Sequence, residues 1–259
     1  MAIDVVVTGA LGKMGITIMK AIYDHSNTNL VGAVDVKEGD SIGEIIGAKL
    51  DLSVESDLKK VLRETKPRVL VDFTRADAAF NNALVALENG IHPVIGTTGL
   101  TDSNIEHLHV LCEEKQLGAI VSPNFALGTV LMMRFAEEAA KYFNSVEIIE
   151  LHHNNKIDAP SGTAIATAKK IGSSLSNSAK ETTNQPHNLL GTVIKGVPIH
   201  SVRLPGLVAQ HEVMFGGKGE TLTIRHDSIS RESFHAGLIL AVEKVIDLRR
   251  LVIGLENLL

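Results

Sequence analysis

The sequence predicts an α/β fold in two parts, a parallel sheet covered by helices and a smaller part that contains antiparallel strands. Up to about residue 123, short runs rich in Val and Ile alternate with segments of helical period, as strands do when crossover helices bury both faces of a sheet. After Val146, the turn signals Pro205-Gly206 and Gly216-Gly217 separate the strand-like runs, which favours antiparallel pairing. A length of 259 residues suits two domains.

Five apolar runs in the first part predict the strands of the parallel sheet. They are residues 3–8, 30–35, 69–73, 92–95 and 119–122. Apolar residues with helical spacing predict helices over 14–22 and 104–116. The single cysteine, Cys112, lies in the second of these helices and is expected to be a small buried residue.

The second part combines longer strands with three predicted helices. The strands are expected over 146–152, 197–203, 208–215 and 220–226, and the helices over 127–142, 163–175 and 231–245. The polar stretch 176–187 is predicted to be a mobile loop, and residues 249–259 to be a tail.

The composition excludes several classes of protein. The formal net charge is −5 and aromatic residues make up 3%, whereas a nucleic-acid binder needs a basic face and stacking side chains. With one cysteine, neither an intrachain disulfide nor a four-cysteine zinc site can form. No apolar run approaches the roughly 18 residues of a membrane span. We therefore expect a cytoplasmic protein without nucleic-acid or membrane partners.

A glycine-rich turn follows the first predicted strand. Residues 9–15 read GALGKMG, and helical spacing of apolar residues begins at Met14. A strand, a glycine turn and a helix start in this order let backbone amides approach a diphosphate. Asp35 closes the second strand 20 residues after Gly15, where an acid can accept hydrogen bonds from ribose hydroxyls. The turn therefore predicts dinucleotide binding, with a tight turn that binds nothing as the alternative.

Two further predicted strands end in small or polar residues, 72–75 (DFTR) and 96–99 (GTTG). Ligands of an open parallel sheet bind outside the carboxyl ends of its strands. These turns are therefore expected to line the same crevice as the glycine turn. For Thr97 and Thr98, capping of the following helix explains the residues equally well.

The densest group of reactive residues is the segment 150–163, ELHHNNKIDAPSGT. His152, His153 and Lys156 can donate protons or bind anions, and the amides of Gly162 and Thr163 begin a helix that can hold a carboxylate or phosphate. The alternatives are surface histidines, a solvated lysine and a simple helix cap. A metal site is not expected, because adjacent strand residues face opposite ways and a third ligand at a familiar spacing is missing.

Four other histidines are predicted to be structural, because they are scattered along the later strands and the last helix. They are His200, His211, His226 and His235.

These motifs resemble those of the 4-hydroxy-tetrahydrodipicolinate reductase (dihydrodipicolinate reductase) family. The match runs through 9–15, 72–74, 96–99, 122–125 (SPNF) and, most specifically, 150–163. The resemblance implies a Rossmann-type dinucleotide-binding domain over 1–123 and 233–259. It also implies a smaller α+β domain with a mixed sheet over 124–232, which binds substrate and makes the contacts of a homotetramer.

The resemblance also implies a reaction. It is the NAD(P)H-dependent reduction of 4-hydroxy-tetrahydrodipicolinate to tetrahydrodipicolinate with loss of water, in lysine and diaminopimelate biosynthesis. The substrate is a cyclic dicarboxylate, to which the nicotinamide adds a hydride and the protein supplies a proton. By matching position, His152 and Lys156 are the implied catalytic pair, and His153, Gly162 and Thr163 bind the substrate carboxylates.

The implied cofactor-binding residues all lie in the first domain or at its boundary. They are Gly9, Ala10, Leu11, Gly12, Lys13, Met14, Asp35, Gly96, Thr97, Thr98, Ser122, Pro123, Asn124 and Phe125. The sequence leaves NADH and NADPH open, because Asp35 favours NADH whereas Lys13 and Lys37 can accept a 2′-phosphate. Val36 stands where the family often has a basic residue.

Two other functions fit part of the sequence. Another Rossmann-type imine or amino-acid dehydrogenase shares the glycine turn, but an acyclic substrate does not obviously require the segment 150–163. A regulator that senses a dinucleotide without turning it over would leave that segment idle and would need a DNA-reading helix or basic arm, which the sequence does not show.

Overall fold

The computed structural model describes residues 2–175 and 191–259. The chain divides into two compact units, one formed by Met1–Leu127 with Phe234–Leu259 and the other by Gly128–Ser233. The loop predicted over 176–187 lies outside the described residues. Within the described ranges, none of the helices has the length and apolar character that a membrane span requires.

The first unit contains a seven-stranded sheet in which every neighbouring pair is parallel. Its strands are β1 (Ile3–Thr8), β2 (Thr28–Val34), β3 (Val54–Glu55), β4 (Val69–Asp72), β5 (His92–Ile95), β6 (Ala119–Val121) and β12 (Leu251–Ile253). The strand order is β12-β6-β5-β4-β1-β2-β3. From β1, the chain adds β2 and β3 on one side and then continues with β4 on the other side. Open α/β sheets bind ligands at such a change in strand order. The predicted Rossmann-type sheet is confirmed.

Helices flank this sheet, whose central strands are buried; Val5, Val6 and Val7 have no exposed surface. The helices are α1 (Lys13–Asp24), α2 (Ile42–Ile46), α3 (Leu58–Thr65), α4 (Ala76–Glu88), α5 (Asp102–Lys115) and α8 (His235–Val245). Cys112 of α5 is buried as predicted, and burial raises the pKa of its thiol to about 12.

The second unit contains the predicted mixed sheet, with the strand order β11-β10-β7-β9-β8. Its elements are α6 (Leu127–Ala139), β7 (Ser145–His152), α7 (Gly162–Ser174), β8 (Thr192–Ile194), β9 (Val197–Arg203), β10 (Ala209–Gly217) and β11 (Glu220–Ser228). The β7–β9 pair is parallel and the other pairs are antiparallel. Ile148, Val213 and Phe215 of the sheet share a buried apolar cluster with Ala136 of α6 and Ile171 of α7.

The strand pairing differs from the sequence prediction in one respect. The runs that became β9 and β10 were expected to pair with each other, but β7 lies between them. The alternating burial of β7 shows which of its faces is covered, but such a pattern carries no information on which strands pair with it. The hairpin turn between β10 and β11 lies at Lys218-Gly219 rather than at Gly216-Gly217. Gly219 has a positive φ of +84°, a backbone conformation that glycine adopts readily.

Several other elements also differ from the prediction. The helix α6 ends at Ala139, three residues earlier than predicted, and the last helix is preceded by a 3-10 turn, Arg231–Phe234. The predicted tail contributes β12 to the edge of the first sheet. Its three residues are too few for a periodic pattern to reveal.

Candidate functional site

The carboxylate of Asp72 ties together the strand ends of the first unit. It accepts hydrogen bonds from Thr8 Oγ1 at 2.6 Å, from Thr74 N at 2.9 Å and from Thr97 Oγ1 at 3.1 Å. Asn82 Nδ2 of α4 donates to it at 2.8 Å. Because Asp72 is buried, these bonds replace its lost hydration. The loops after β1, β4 and β5 are thereby held at one edge of the sheet, as the sequence predicts.

Two cavities open at this edge, and both are lined by Thr74 and Arg75. The first, of about 550 Å³, also includes Gly9 and Asp35. The second, of about 410 Å³, includes Met14, Phe73, Gly96, Thr97 and Thr98. The structure therefore groups the glycine turn with both polar turns. Arg75 belongs to the turn 72–75 that the sequence placed at this crevice, although no binding role was assigned to it.

Asp35 follows β2 and contacts the glycine turn directly. Its Oδ2 accepts a hydrogen bond from Leu11 N at 2.8 Å, and its Oδ1 accepts one from Val36 N at 2.7 Å. Lys37 does not turn toward this carboxylate, since its Nζ lies 2.7 Å from Asp40 Oδ2. Lys13 is the first residue of α1, and Ala10 beside it in the turn is buried.

The segment 122–125 makes local contacts. Ser122 Oγ donates to Asn124 O at 2.7 Å, and Asn124 Oδ1 accepts from Ala126 N at 2.9 Å. Pro123 is exposed. The ring of Phe125 is 1% exposed and packs 5.9 Å from that of Phe73, centroid to centroid. Its side chain therefore belongs to the core of the first unit, and a ligand can reach only the exposed parts of the segment.

In the second unit, Glu150 and His152 point to the buried side of β7. Glu150 is 0% exposed and His152 is 7% exposed, whereas His153 is exposed. His152 Nδ1 and Glu150 Oε2 form a hydrogen bond. Since Nδ1 is engaged, Nε2 is the ring nitrogen left for another partner.

Arg203, the residue opposite His152 on β9, holds the same carboxylate with two hydrogen bonds. Its Nη2 donates to Glu150 Oε1 at 2.8 Å and its Nη1 to Oε2 at 3.0 Å. Burial by itself would raise the pKa of Glu150, but the hydrogen bonds from His152, Arg203 and Ser201 outweigh it and hold that pKa well below its ordinary value. Glu150 is therefore a buried carboxylate.

His211, opposite Glu150 on β10, completes this group. Its ring lies edge-on to that of His152 with centroids 5.5 Å apart, and its Nε2 lies 3.1 Å from Ser161 Oγ. Burial, followed by the charge of His152, lowers the pKa of His211 to about 4. His211 is thus neutral near pH 7 and satisfied, as a structural histidine should be, but it contacts the site.

The pKa of His211 predicts a loss of stability in acid. Between about pH 6.5 and 4, His211 binds a proton in the unfolded chain but stays neutral in the folded protein. The free energy of unfolding therefore falls by about 1.4 kcal/mol for each pH unit of acidification. Between pH 6.5 and 5, chemical denaturation should show that the free energy of unfolding of His211→Gln falls by roughly 2 kcal/mol less than that of the wild type. The control Val213→Ala removes buried apolar surface from the same strand but keeps the imidazole, so it should lower stability at every pH and keep the slope. An unchanged slope in His211→Gln would refute the assignment.

Lys156 lies on the loop between β7 and α7. Its Nζ contacts Asp158 Oδ1 at 2.7 Å, and the side chain of Lys156 is 23% exposed. The hydrogen bond from Lys156 lowers the pKa of Asp158. The carbonyl of Asp158 accepts a hydrogen bond from Arg203 Nη2 at 2.7 Å, which joins this loop to the buried group.

Ser161 caps α7, accepting a hydrogen bond from Ala164 N at 3.2 Å. Its own amide donates to Glu150 Oε1 at 3.3 Å, so the start of α7 is attached to the carboxylate that holds His152. Gly162 and Thr163 are the first two residues of the helix. A Cβ built on Gly162 meets nothing within 4 Å, which leaves the helix N-terminus accessible to an anion.

Among the described residues, no three His, Cys, Asp or Glu side chains are grouped to hold a metal ion. The structure adds Glu150, Arg203, Ser161 and His211 to the residues predicted for the second unit. One of them had a visible signal, because Val146, Ile148, Glu150 and His152 alternate along one strand face and the glutamate occupies an inward position. The positions of Arg203 and His211 depend on strand register.

Family models for dihydrodipicolinate reductase match both parts of the chain, the N-terminal model over residues 3–125 and the C-terminal model over 128–259. The 4-hydroxy-tetrahydrodipicolinate reductase of Syntrophomonas wolfei is 50% identical, with 98% of each chain covered. That of Moorella thermoacetica is 49% identical, covering 99% of this chain and 98% of the relative.

A solved structure supports the same relationship over the full length. The dipicolinate-bound dihydrodipicolinate reductase of Paenisporosarcina sp. TG-14 is 40% identical, covers 100% of both chains and has a TM-score of 0.87. With both family models, the relatives and this structure in agreement, the chain belongs to the dihydrodipicolinate reductase family.

Proposed function

We propose that this protein reduces 4-hydroxy-tetrahydrodipicolinate to tetrahydrodipicolinate with loss of water, using NADH or NADPH, in lysine and diaminopimelate biosynthesis. The observation that carries the proposal is the buried Glu150–His152 pair, attached to the capped start of α7. The reduction of a cyclic dicarboxylate needs a proton donor for the ring and a binding site for its carboxylates. The histidine and the helix end provide these two features.

The first unit fits a dinucleotide. Gly12, the N-cap of α1, carries no side chain over the helix end, so a diphosphate can approach the amides. Gly9, with a φ of +74°, lets the turn pass Phe73 O, which a Cβ would approach to 2.6 Å. We assign Gly9–Met14, Asp35, Gly96–Thr98 and the exposed parts of 122–125 to this ligand. The bound nicotinamide supplies the hydride.

In the second unit, His152 and Lys156 deliver and remove protons during the reduction. Glu150 fixes the ring of His152 and leaves Nε2 as the atom that exchanges its proton with the substrate. Lys156, a cation near the same buried group, both attracts a substrate carboxylate and exchanges protons. His153 and the amides of Gly162 and Thr163 hold the carboxylates.

The second unit makes the contacts of a homotetramer. The partly exposed Met214 of β10 supports this, because it lies on the face of the sheet opposite to the buried Phe215 and Val213. The cytoplasm is the expected location, in keeping with a single, buried, free cysteine.

Asp35→Ala is expected to weaken NADH binding more than NADPH binding, because Asp35 serves the free 2′-hydroxyl of NADH. Both cofactors lose some affinity, since Asp35 also holds the amide of Leu11. Arg75→Ala, in the same cavity, should do the reverse and weaken NADPH more. Calorimetric titration with each reduced cofactor measures both. Equal losses for the two cofactors in Asp35→Ala would make Asp35 purely structural.

The substrate site is tested with pyridine-2,6-dicarboxylate (dipicolinate), the ligand named for the Paenisporosarcina enzyme. At about 100 times its dissociation constant, a ligand stabilises by roughly 2.7 kcal/mol, which raises the unfolding midpoint by about 5 to 10 °C for a chain of this size. Pyridine-2-carboxylate should give a much smaller shift, because one carboxylate contact is missing.

Variants locate the ligand. Lys156→Ala should weaken the diacid more than Thr163→Val, which keeps the backbone amides of α7. Lys169→Ala removes an exposed cation elsewhere on α7 and should bind the diacid as the wild type does. If the diacid and the monoacid stabilise the protein equally, the cyclic dicarboxylate substrate must be abandoned.

A further inference from the structure

We propose that Glu150 and Arg203 are positioning residues that set the acidity of His152 in opposite directions, so that its ring can both give and take a proton in the reaction. This inference rests on the proposed function for the use that the reaction makes of the His152 ring. Its physical basis, the shared carboxylate, is independent of that function.

The geometry of the shared oxygen carries the argument. Glu150 Oε2 is hydrogen-bonded to His152 Nδ1 and also accepts from Arg203 Nη1 at 3.0 Å. The other oxygen, Oε1, accepts from Arg203 Nη2 at 2.8 Å and from Ser161 N at 3.3 Å. The carboxylate is 0% exposed and the side chain of Arg203 is 19% exposed, so little solvent screens the three groups.

Each partner affects His152 through this carboxylate. An unpaired buried carboxylate would hold the ring firmly as an imidazolium, because the positive ring would be its only counter-charge. The guanidinium supplies a competing positive charge with bidentate geometry. Glu150 therefore favours the protonated ring and Arg203 opposes it.

The other groups around the ring add no comparable buried charge. His211, packed edge-on from β10, is neutral near pH 7 because burial lowers its pKa to about 4. On the loop after β7, Lys156 and Asp158 form an ion pair at 2.7 Å, with the Asp158 side chain 58% exposed. Glu150 and Arg203 are consequently the charged side chains whose removal should change the titration of His152 most.

The test follows the ring of His152 by NMR across pH, without substrate or cofactor. Glu150→Gln should lower the midpoint of the titration, a tenfold or larger loss in the proton-binding constant, roughly one pH unit. Arg203→Gln should raise the midpoint by a similar amount. The control Glu147→Gln removes another carboxylate of β7, which lies 2.9 Å from His200 of β9. It should leave the midpoint of His152 unchanged.

Arg203→Gln leaves the buried Glu150 carboxylate without its guanidinium partner, and this variant can fail to fold. A double variant provides the test in that case. Glu150→Gln/Arg203→Gln contains neither buried charge, and its midpoint should lie above that of Glu150→Gln because the cation is gone. Midpoints that shift in the same direction for both residues, or by no more than in the control, would overturn the proposal.

Kinetics separates this inference from the proposed function. In the pH profile of kcat/KM, the limb that reports His152 should move with the NMR midpoint, down in Glu150→Gln and up in Arg203→Gln. A purely structural role would lower kcat/KM without moving that limb, which would count against the proposal. If the midpoints shift as expected but the wild type does not reduce 4-hydroxy-tetrahydrodipicolinate, the proposed function fails while the control of acidity stands.

Discussion

Replacing His152 or Lys156 by Ala should lower turnover by roughly two to four orders of magnitude, the usual cost of losing a group that transfers a proton. For His152 the structural reason is its buried bond to Glu150, which fixes the ring and leaves Nε2 for the substrate. For Lys156 it is the position on the loop that Arg203 ties to the same carboxylate. The assay follows nicotinamide absorbance with freshly generated substrate.

The double variant distinguishes one shared step from two separate ones. If His152 and Lys156 serve the same proton transfer, their combined effect should fall far short of the product of the single effects. His200→Ala, which removes a half-buried histidine paired with Glu147 on the same sheet, should keep near-wild-type turnover. Near-wild-type turnover at neutral pH in either His152→Ala or Lys156→Ala would remove that residue from the catalytic role.

The first unit was predictable because its strands carry a strong signal. β1 and β5 have the predicted bounds, since continuous runs such as Val5-Val6-Val7 fit a strand buried on both faces. β3, with two residues, and β12, with three, escaped prediction. Such short strands are defined by the neighbours with which they pair, and no apolar period of their own marks them.

The second unit was less predictable because its strands do not pair in chain order. The segments of β9, β10 and β11 were expected from their patterns, but β7 precedes them in the chain and pairs between β9 and β10. Sequence alternation tells which face of β7 is buried and does not tell which strands flank it. Arg203 and His211 lie beside His152 and Glu150 through that pairing, so a sequence without register could not assign them.

The residues proposed from motifs show the same division. The segment 150–163 drew attention to His152 and Lys156 because several reactive side chains leave one strand within a few residues. The Asp72 carboxylate, which joins three loops of the first unit, looks in the sequence like one acid in a turn. Local motifs therefore suggested the groups that we propose to face ligands, whereas the groups that hold them depend on contacts across strands.

Gly12→Val is expected to abolish dinucleotide binding, a loss of about a hundredfold or more in affinity, while the protein stays folded. Gly12 has an ordinary φ of −69°, and an added Cβ meets only Gly9 O, at 3.2 Å. The fold can therefore accept a side chain at a cost of roughly 1 kcal/mol for the poorer cap. A ligand cannot, because the side chain would occupy the space between the backbone and a diphosphate.

Gly15→Val is the matched variant in the same turn, and it should fail for a different reason. A Cβ on Gly15 would lie 2.0 Å from Gly9 O and 2.8 Å from Ala10 Cα, both backbone atoms, so the turn itself must move and stability should fall by several kcal/mol, beyond the roughly 1 to 3 of ordinary overpacking. Thermal unfolding should thus separate the two variants, with Gly12→Val near the wild type and Gly15→Val well below it. Calorimetric titration with NADH and NADPH then measures binding in the folded variant. Wild-type affinity in Gly12→Val would mean that the glycine turn does not hold the diphosphate, and the first unit would have to bind its cofactor elsewhere.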